Sequence, residues 1–389
     1  VLIDSLKDFV DNEIKPIAVE IDEKHEIPSS LISQMSELGF MGTYIPEEYG
    51  GAGMDYFSYI LTVAEVSKAC ASTGVLIAAH TSLCCGPILS YGTEEQKKKY
   101  LPDLASGEKI GCFLQTEPNA GSDVSNIDTK YKEEDDYYVI TGSKIFITNG
   151  AYKGTGIVIA TKDKTLGHKG LSAFIVDLST PGVEVTKNEV KMGIRGSYTT
   201  AFGLDGVRVP KENMLGKEGD GFKIAMETLN AGRISIGAQA LGIAEGALEK
   251  SVEYTLERKQ FNKPLAAFQA VSMKLAEMKL RIEQSKILIY KAAWLKENNK
   301  PLKDKDSFNI LTNVDLNSNT RIKKTKIKRL IISTEINSKN RLFNNKNTIA
   351  PSFNITKETA YKTPIAPTLG SFKILKTSHL AKKYSSIVL

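Results

Sequence analysis

Tyr137-Tyr-Val-Ile-Thr141, Lys144-Ile-Phe-Ile-Thr148, Ile157-Val-Ile-Ala160, Ser172-Ala-Phe-Ile-Val176 and Val183-Glu-Val185 decide the fold class. Each is a short run of β-branched and aromatic residues. The turn signals Thr141-Gly142, Asn149-Gly150 and Pro181-Gly182 separate them. No helical period intervenes. Strands in this order predict a small antiparallel barrel or sandwich, not a βαβ unit. No G-x-G-x-x-G follows a strand and no G-x-x-x-x-G-K-[ST] occurs, so Rossmann-type and P-loop nucleotide binding lack support.

Outward from this block the period changes on both sides. Before it, residues 1–110 read as an all-helical domain. Leu2, Leu6, Phe9, Val10 and Ile14 recur at spacings of three and four until Pro16, and Leu31, Met35, Leu38 and Met41 repeat the pattern. A glycine-rich loop covers Gly39–Gly53, an apolar stretch runs from Tyr59 to Leu89, and Thr93-Glu-Glu-Gln96 is a capping box. Behind the block, residues 211–300 return to helix. Val271, Leu275, Met278, Ile282, Ser285 and Ile289 form a seam suited to an antiparallel bundle. The preceding helix, near Gly221–Arg258, carries Ala238, Ala240, Ala244 and Ala247, small residues that permit close helix approach. The expected class is therefore α+β and multidomain: helical 1–110, a β domain over 111–210, and an incomplete helical bundle over 211–300.

Length and composition agree. A chain of 389 residues, 41% hydrophobic and 25% charged, is long enough for two or three ordinary globular domains, which excludes collagen, a disulfide scaffold and bulk disorder. No apolar run is expected to reach the ~18 residues of a membrane span. Val1–Val10 shows no targeting signal, so a cytoplasmic location is expected. Cys70, Cys84, Cys85 and Cys112 show no zinc spacing and read as reduced, buried thiols; the four histidines match no metal motif.

Residues 301–389 are different. They carry 17 Lys and Arg against 5 Asp and Glu, ten asparagines and a single glycine, Gly370, whereas residues 1–300 are net acidic. The helical period fails there. This divergent basic tail could be solvated or could bind nucleic acid, but neither is the preferred account, and no nucleic-acid partner is expected. A frameshift in an A+T-rich gene would generate the same excess of Lys, Asn and Ile and the same loss of Gly and Ala.

The segment Cys112-Phe-Leu-Gln-Thr-Glu-Pro-Asn-Ala-Gly-Ser-Asp123 sits at the helix-to-strand boundary. Its hydroxyls and free backbone N–H groups suit a phosphate or a polar ring edge, and equally a capped turn before a strand. Resemblance separates the two. Gln115–Asp123 resembles the signature of the acyl-CoA dehydrogenase flavoproteins, and so does Lys144-Ile-Phe-Ile-Thr-Asn-Gly150. Met192-Gly-Ile-Arg-Gly-Ser197, Asn230-Ala-Gly-Arg233 and Arg258-Lys-Gln-Phe261 through Pro264 and Gln269 continue the match in order, with the short-chain, butyryl-CoA type most similar.

The resemblance implies α,β-dehydrogenation of an acyl-CoA thioester to the enoyl-CoA with FAD as cofactor. It implies an electron-transfer flavoprotein as electron acceptor and a homotetramer as the assembly. Phe113, Leu114, Gln115, Thr116, Ser122, Phe146, Ile147 and Thr148 would surround the flavin. Thr116 and Thr148 would lie near its polar edge and N5, Phe146 would cover one ring face, and Ser122 would hold a phosphate or the pantetheine arm. Asn230, Ala231, Gly232 and Arg233 would contact CoA. Arg258 and Gln269 would reach the FAD of a neighbouring subunit. The family's catalytic base, a Glu in a late Tyr-Glu-Gly-Thr segment, has no counterpart; Glu335 and Glu358 lie in unrelated context, and Gly232 occupies the alternative base position. No catalytic residue is therefore assigned. A flavin- or CoA-binding protein without turnover is the alternative function.

Overall fold

The computed structural model describes residues 2–300. The expectations attached to 301–389, a basic tail and a frameshift, lie outside the described residues. The N-terminal part is helical: α1 (Leu2–Phe9), α2 (Ala18–Lys24), α3 (Ser29–Glu37), α4 (Tyr56–Ala69), α5 (Ala71–Ala79), α6 (Gly86–Tyr91) and α7 (Glu94–Ala105). Pro16 sits in a 3-10 turn, Lys15–Ile17, that re-aims the chain into α2. The capping box forms as read, with Thr93 Oγ1 accepting from Gln96 N and Gln96 Oε1 from Thr93 N. Gln96 Nε2 also donates to the carbonyls of Glu212 and Met214, 2.6 and 2.8 Å away, so the cap ties α7 to the β domain.

Two expectations about this part need correction. Leu38 is 49% exposed, because α3 ends at Glu37 and the chain turns before Leu38 could face the core. Ala71–Tyr91, 21 residues at mean hydropathy 1.4, is long and apolar enough to cross a membrane by length and composition. Its residues are spent on the protein interior instead, with 78% of the apolar window buried. A π-helical turn, His80–Cys85, interrupts that segment between α5 and α6.

The β domain contains β1 (Cys112–Leu114), β2 (Lys130–Glu133), β3 (Tyr137–Thr148), β4 (Thr155–Thr161), β5 (Leu171–Asp177), β6 (Val183–Asn188), β7 (Thr199–Pro210) and β8 (Met214–Leu215). They form one sheet in the order β6-β7-β3-β2-β4-β5-β8, with β1 beside β4. Most pairs are antiparallel, but β1 runs parallel to β4, as does the single β2–β4 bridge, so the sheet is mixed. Thr141-Gly142 does not turn the chain: β3 continues through it as a bulge against β7, giving one twelve-residue strand where two were expected. β4 is buried along its whole length because both faces are covered. Val158, Tyr131, Phe174 and Phe202 belong to the inner core; Ile157, Ile159, Leu101, Leu104 and Ile224 join sheet to helices.

Two long helices, α8 (Gly221–Glu257) and α9 (Gln269–Glu297), complete the described chain; a hairpin of β9 (Lys259–Gln260) and β10 (Lys263–Pro264) joins them. Close approach of α8 to α4 rests on glycines more than on the alanines. A methyl at Gly242 would collide with the Ala64 carbonyl oxygen, and one at Gly246 with that of Lys68. On α9 the seam points inward, with Ile282 and Ile289 4% and 5% exposed. Glu297 Oε2 accepts from Tyr56 N at 2.6 Å and so caps α4 from the far end of the bundle pair.

Two buried polar groups hold these parts together. Lys144, fully buried on β3, donates from Nζ to Glu117 Oε1 and the Ile159 carbonyl at 2.7 Å each, and to the Gln115 carbonyl at 3.3 Å. Glu117 in turn accepts from Asp128 N at 2.6 Å and Thr129 N at 3.1 Å. Burial lowers the Lys144 ammonium to about 8, with the Glu117 carboxylate opposing the shift. The second group is His80. Gly111 N donates to its Nδ1 at 2.8 Å, which leaves Nε2 to donate to the Leu104 carbonyl at 3.0 Å. Asn149 Nδ2 donates to the carbonyls of Gly111 and Leu76, so helix and strand meet at Gly111.

Lys144→Met strands the Glu117 carboxylate and should cost about 3–5 kcal/mol in urea unfolding of the β domain; a change under about 1 kcal/mol would show that the pair is dispensable. For His80, burial lowers the imidazole to about 4 from its ordinary value near 6.5. The unfolded chain therefore takes up the proton first. The stability due to the neutral ring is complete above about pH 6.5 and is lost as pH falls toward 4. Urea midpoints should drop across that window, and His80→Gln should flatten the drop; equal slopes in both proteins would exclude His80 as its source.

Candidate functional site

Where the helical part meets the sheet, a pocket of about 140 Å³ opens, lined by Ala79, Leu83, Phe113, Gln115, Thr116, Phe146, Ile147, Thr148 and Leu229. Five elements build it: the last residue of α5, the π-helical turn that follows, β1 with its exit, the end of β3, and α8. The side chains of Ala79, Leu83, Phe113 and Leu229 are apolar, while Gln115, Thr116 and Thr148 bring polar groups. The β1 exit is locked to β3, since Ile145 N donates to the Thr116 carbonyl at 2.8 Å beside the bond from Lys144 to Gln115.

Phe146 reaches the pocket through backbone strain. The β3–β7 register slips between Lys144 and Ile147, and Phe146 sits at φ 59°, a conformation that bulky residues avoid. The bulge turns the ring out of the sheet's core, leaving it 58% exposed. Strain of this kind costs about 1–3 kcal/mol and tends to mark function. Gln115 is the second irregularity: it is 6% exposed, and its Oε1 is buried without a partner. Apolar walls, an aromatic ring at the mouth, threonine hydroxyls and an orphaned amide fit a planar heteroaromatic group with a polar edge, as a flavin has.

The other candidate residues fall at graded distances. Leu114 lies beside the pocket in sequence but points the opposite way from Phe113, into the sheet's core, because strand side chains alternate. Its side chain does not line the pocket. Ser122 is exposed on the loop after Thr116 and is not among the pocket's lining residues. Asn230, Ala231, Gly232 and Arg233 follow Leu229 on α8, where Arg233 Nη1 donates to Asn230 Oδ1 at 2.5 Å and Gly232 packs on Leu83. Ala231 is held through its carbonyl by Tyr56 Oη at 3.2 Å. Arg258 and Gln269 flank the α8–α9 hairpin and are exposed. They are 29 and 40 residues beyond Leu229, and on the unbroken α8 the first interval spans about 43 Å.

Sequence reasoning missed Ala79, Leu83 and Leu229, which read as ordinary helix-core residues, and the buried pair behind the pocket. Lys144 carries a signal that was available: by alternation it shares the inward face of β3 with Tyr138 and Ile140. A charge at a core position demands an opposite charge, and Glu117 lies in the neighbouring motif.

Comparison with known proteins matches these features. Models of the acyl-CoA dehydrogenase N-terminal, middle and C-terminal domains match residues 1–108, 112–207 and 219–310. A short-chain-specific acyl-CoA dehydrogenase of Clostridium acetobutylicum is 51% identical over 296 residues, 76% of this chain and 78% of that one. Butyryl-CoA dehydrogenase of Megasphaera elsdenii superposes with a TM-score of 0.78 at 42% identity, covering 86% of this chain and 92% of its own. A chain in a structure of the electron transferring flavoprotein of Acidaminococcus fermentans gives 0.77 at 40% identity, covering 86% and 96%. A glutaryl-CoA dehydrogenase of Mycobacterium smegmatis, in complex with FADH2, gives 0.77 at 29% identity, covering 88% and 83%. With three domain models in register along the helix–sheet–helix order and half-identity to a short-chain enzyme, this chain belongs to the acyl-CoA dehydrogenase family.

Proposed function

We propose that this protein is an FAD-dependent dehydrogenase that forms a trans-2-enoyl-CoA from a short-chain acyl-CoA and passes electrons to an electron-transfer flavoprotein. The observation that carries the reading is the pocket at the helix–sheet seam, which gathers Phe113, Gln115, Thr116, Phe146, Ile147 and Thr148 from two separate motifs. The Clostridium and Megasphaera relatives support the short-chain substrate, and the Acidaminococcus structure supports the electron-transfer partner.

Each residue then has a task. FAD, when bound, supplies a two-electron acceptor for the β-hydrogen and its electron pair. The hydroxyls of Thr116 and Thr148 orient the ring by its polar edge, and Phe146 shields one face. Ala79, Leu83, Phe113 and Leu229 exclude water, which strengthens every hydrogen bond inside the site. Asn230 and Arg233, on α8 next to Leu229, hold the polar part of CoA, and Ser122 on the exposed loop serves a phosphate or the pantetheine arm. Leu114 contributes through its backbone. Arg258 and Gln269 lie too far along the chain to serve the same pocket and reach the FAD of a neighbouring subunit in a homotetramer.

A second reading has its own observation. Among the described residues no carboxylate lines the pocket, and Gly232 stands at the alternative base position. Glu335 and Glu358 lie outside the described residues. A flavin- and CoA-binding protein without turnover accommodates this. Purified full-length protein should be yellow under both readings, and anaerobic butyryl-CoA should bleach it only under the first. Colour that persists while CoA binds selects the second reading, and colourless protein overturns both. If Arg258 grips a neighbour's FAD by a charge-assisted bond, Arg258→Ala should weaken flavin binding roughly 10- to 100-fold and loosen the oligomer on a sizing column. Unchanged affinity and assembly would return Arg258 to the surface.

A further inference from the structure

We propose that the side-chain amide of Gln115 pairs with the imide edge of the flavin ring, its oxygen accepting the ring N3–H and its NH2 donating to an adjacent ring carbonyl. The inference rests on the flavin reading above and adds to it a named recognition contact.

Three observations converge on this residue. Gln115 lines the pocket and is 6% exposed. Its Oε1 is shielded from solvent and has no hydrogen-bond partner. Its backbone is fixed from behind, because Lys144 Nζ donates to its carbonyl at 3.3 Å and the next carbonyl, of Thr116, takes Ile145 N. An amide held this way has little freedom to seek solvent. A buried acceptor without a donor costs about 1–3 kcal/mol, so its retention points to a donor that arrives with a ligand.

The pocket narrows the donor's identity. The Ala79, Leu83, Phe113 and Leu229 side chains carry none, and no bond joins Gln115 Oε1 to the hydroxyl of Thr116 or Thr148. An oxidised isoalloxazine has one N–H, at N3, flanked by two carbonyls. That edge alternates acceptor, donor, acceptor. A carboxamide offers one acceptor and one donor side by side, and a half-turn about its last bond exchanges them, so it meets this edge with both atoms satisfied.

The test is affinity, not turnover. Full-length protein stripped of flavin is titrated with FAD and with 3-methyl-FAD, which lacks the N3–H, following flavin fluorescence. Wild type should bind FAD roughly 5- to 150-fold more tightly. In Gln115→Leu the ratio should fall to within about threefold, through weaker FAD binding, while the double difference removes any steric effect of the methyl group. Gln115→Met serves if the leucine variant does not fold. A wild-type ratio near one, or a variant that keeps the wild-type ratio, overturns the pairing and leaves the flavin reading intact. Failure of wild type to bind either flavin overturns both.

Discussion

One buried cation organises the β side of this molecule. The Lys144 ammonium has three acceptors drawn from the β1 exit, the Glu117 side chain and β4. Its charge is matched by a carboxylate that is itself held by two backbone N–H groups. A hydrophobic residue of similar volume would pack there, but it would give the loop after β1 no directional reason to lie against β3. A buried ion pair is weak evidence for stability in general. Here its geometry does something more specific. It fixes Gln115 and Thr116 against the segment Phe146–Thr148, and those two short stretches are the polar side of the pocket.

The helical side is fixed by a different device at the same seam. Gly111 gives its N–H to His80 and its carbonyl to Asn149, so the π-helical turn, the start of β1 and the end of β3 share one backbone unit. The π turn, which directly follows Ala79 at the end of α5, carries Leu83 to the pocket. Such bulges recur at functional sites because an extra residue in the turn re-aims the side chains that follow. Strain at Phe146 has the same logic. Neither distortion stabilises the fold, and both put a side chain where the regular element would not.

What could be read from the sequence follows from how local each signal is. The capping box at Thr93 and the helix pair α8–α9 are legible because their information lies within a few residues or repeats many times. β7 was missed because Gly203 and Gly206 dilute its alternation, although it pairs along nearly all of β3. Thr141-Gly142 looked like a turn for a related reason: a glycine at a bulge and a glycine at a turn are the same residue until the partner strand is known. Within the site, the residues on the two motifs were legible by resemblance. Leu83 and Leu229 were not, since an apolar helix residue beside a cofactor pocket differs from one in a core only by what lies opposite.

The helix pair carries the argument beyond the single chain. α9 buries Ile282 and Ile289 against its partners, yet Met273, Leu280, Ile287 and Trp294, spaced seven residues apart, are 45% to 66% exposed. A helix with one apolar stripe belongs on a surface, and a helix with two belongs inside a bundle. The second stripe gives α9 a face suited to packing against further helices. The α8–α9 hairpin presents Arg258 and Gln269 some 43 Å along α8 from Leu229, a gap no side chain bridges. If those two groups serve a cofactor, it is not the one in their own chain's pocket, and flavin binding and assembly become a single equilibrium.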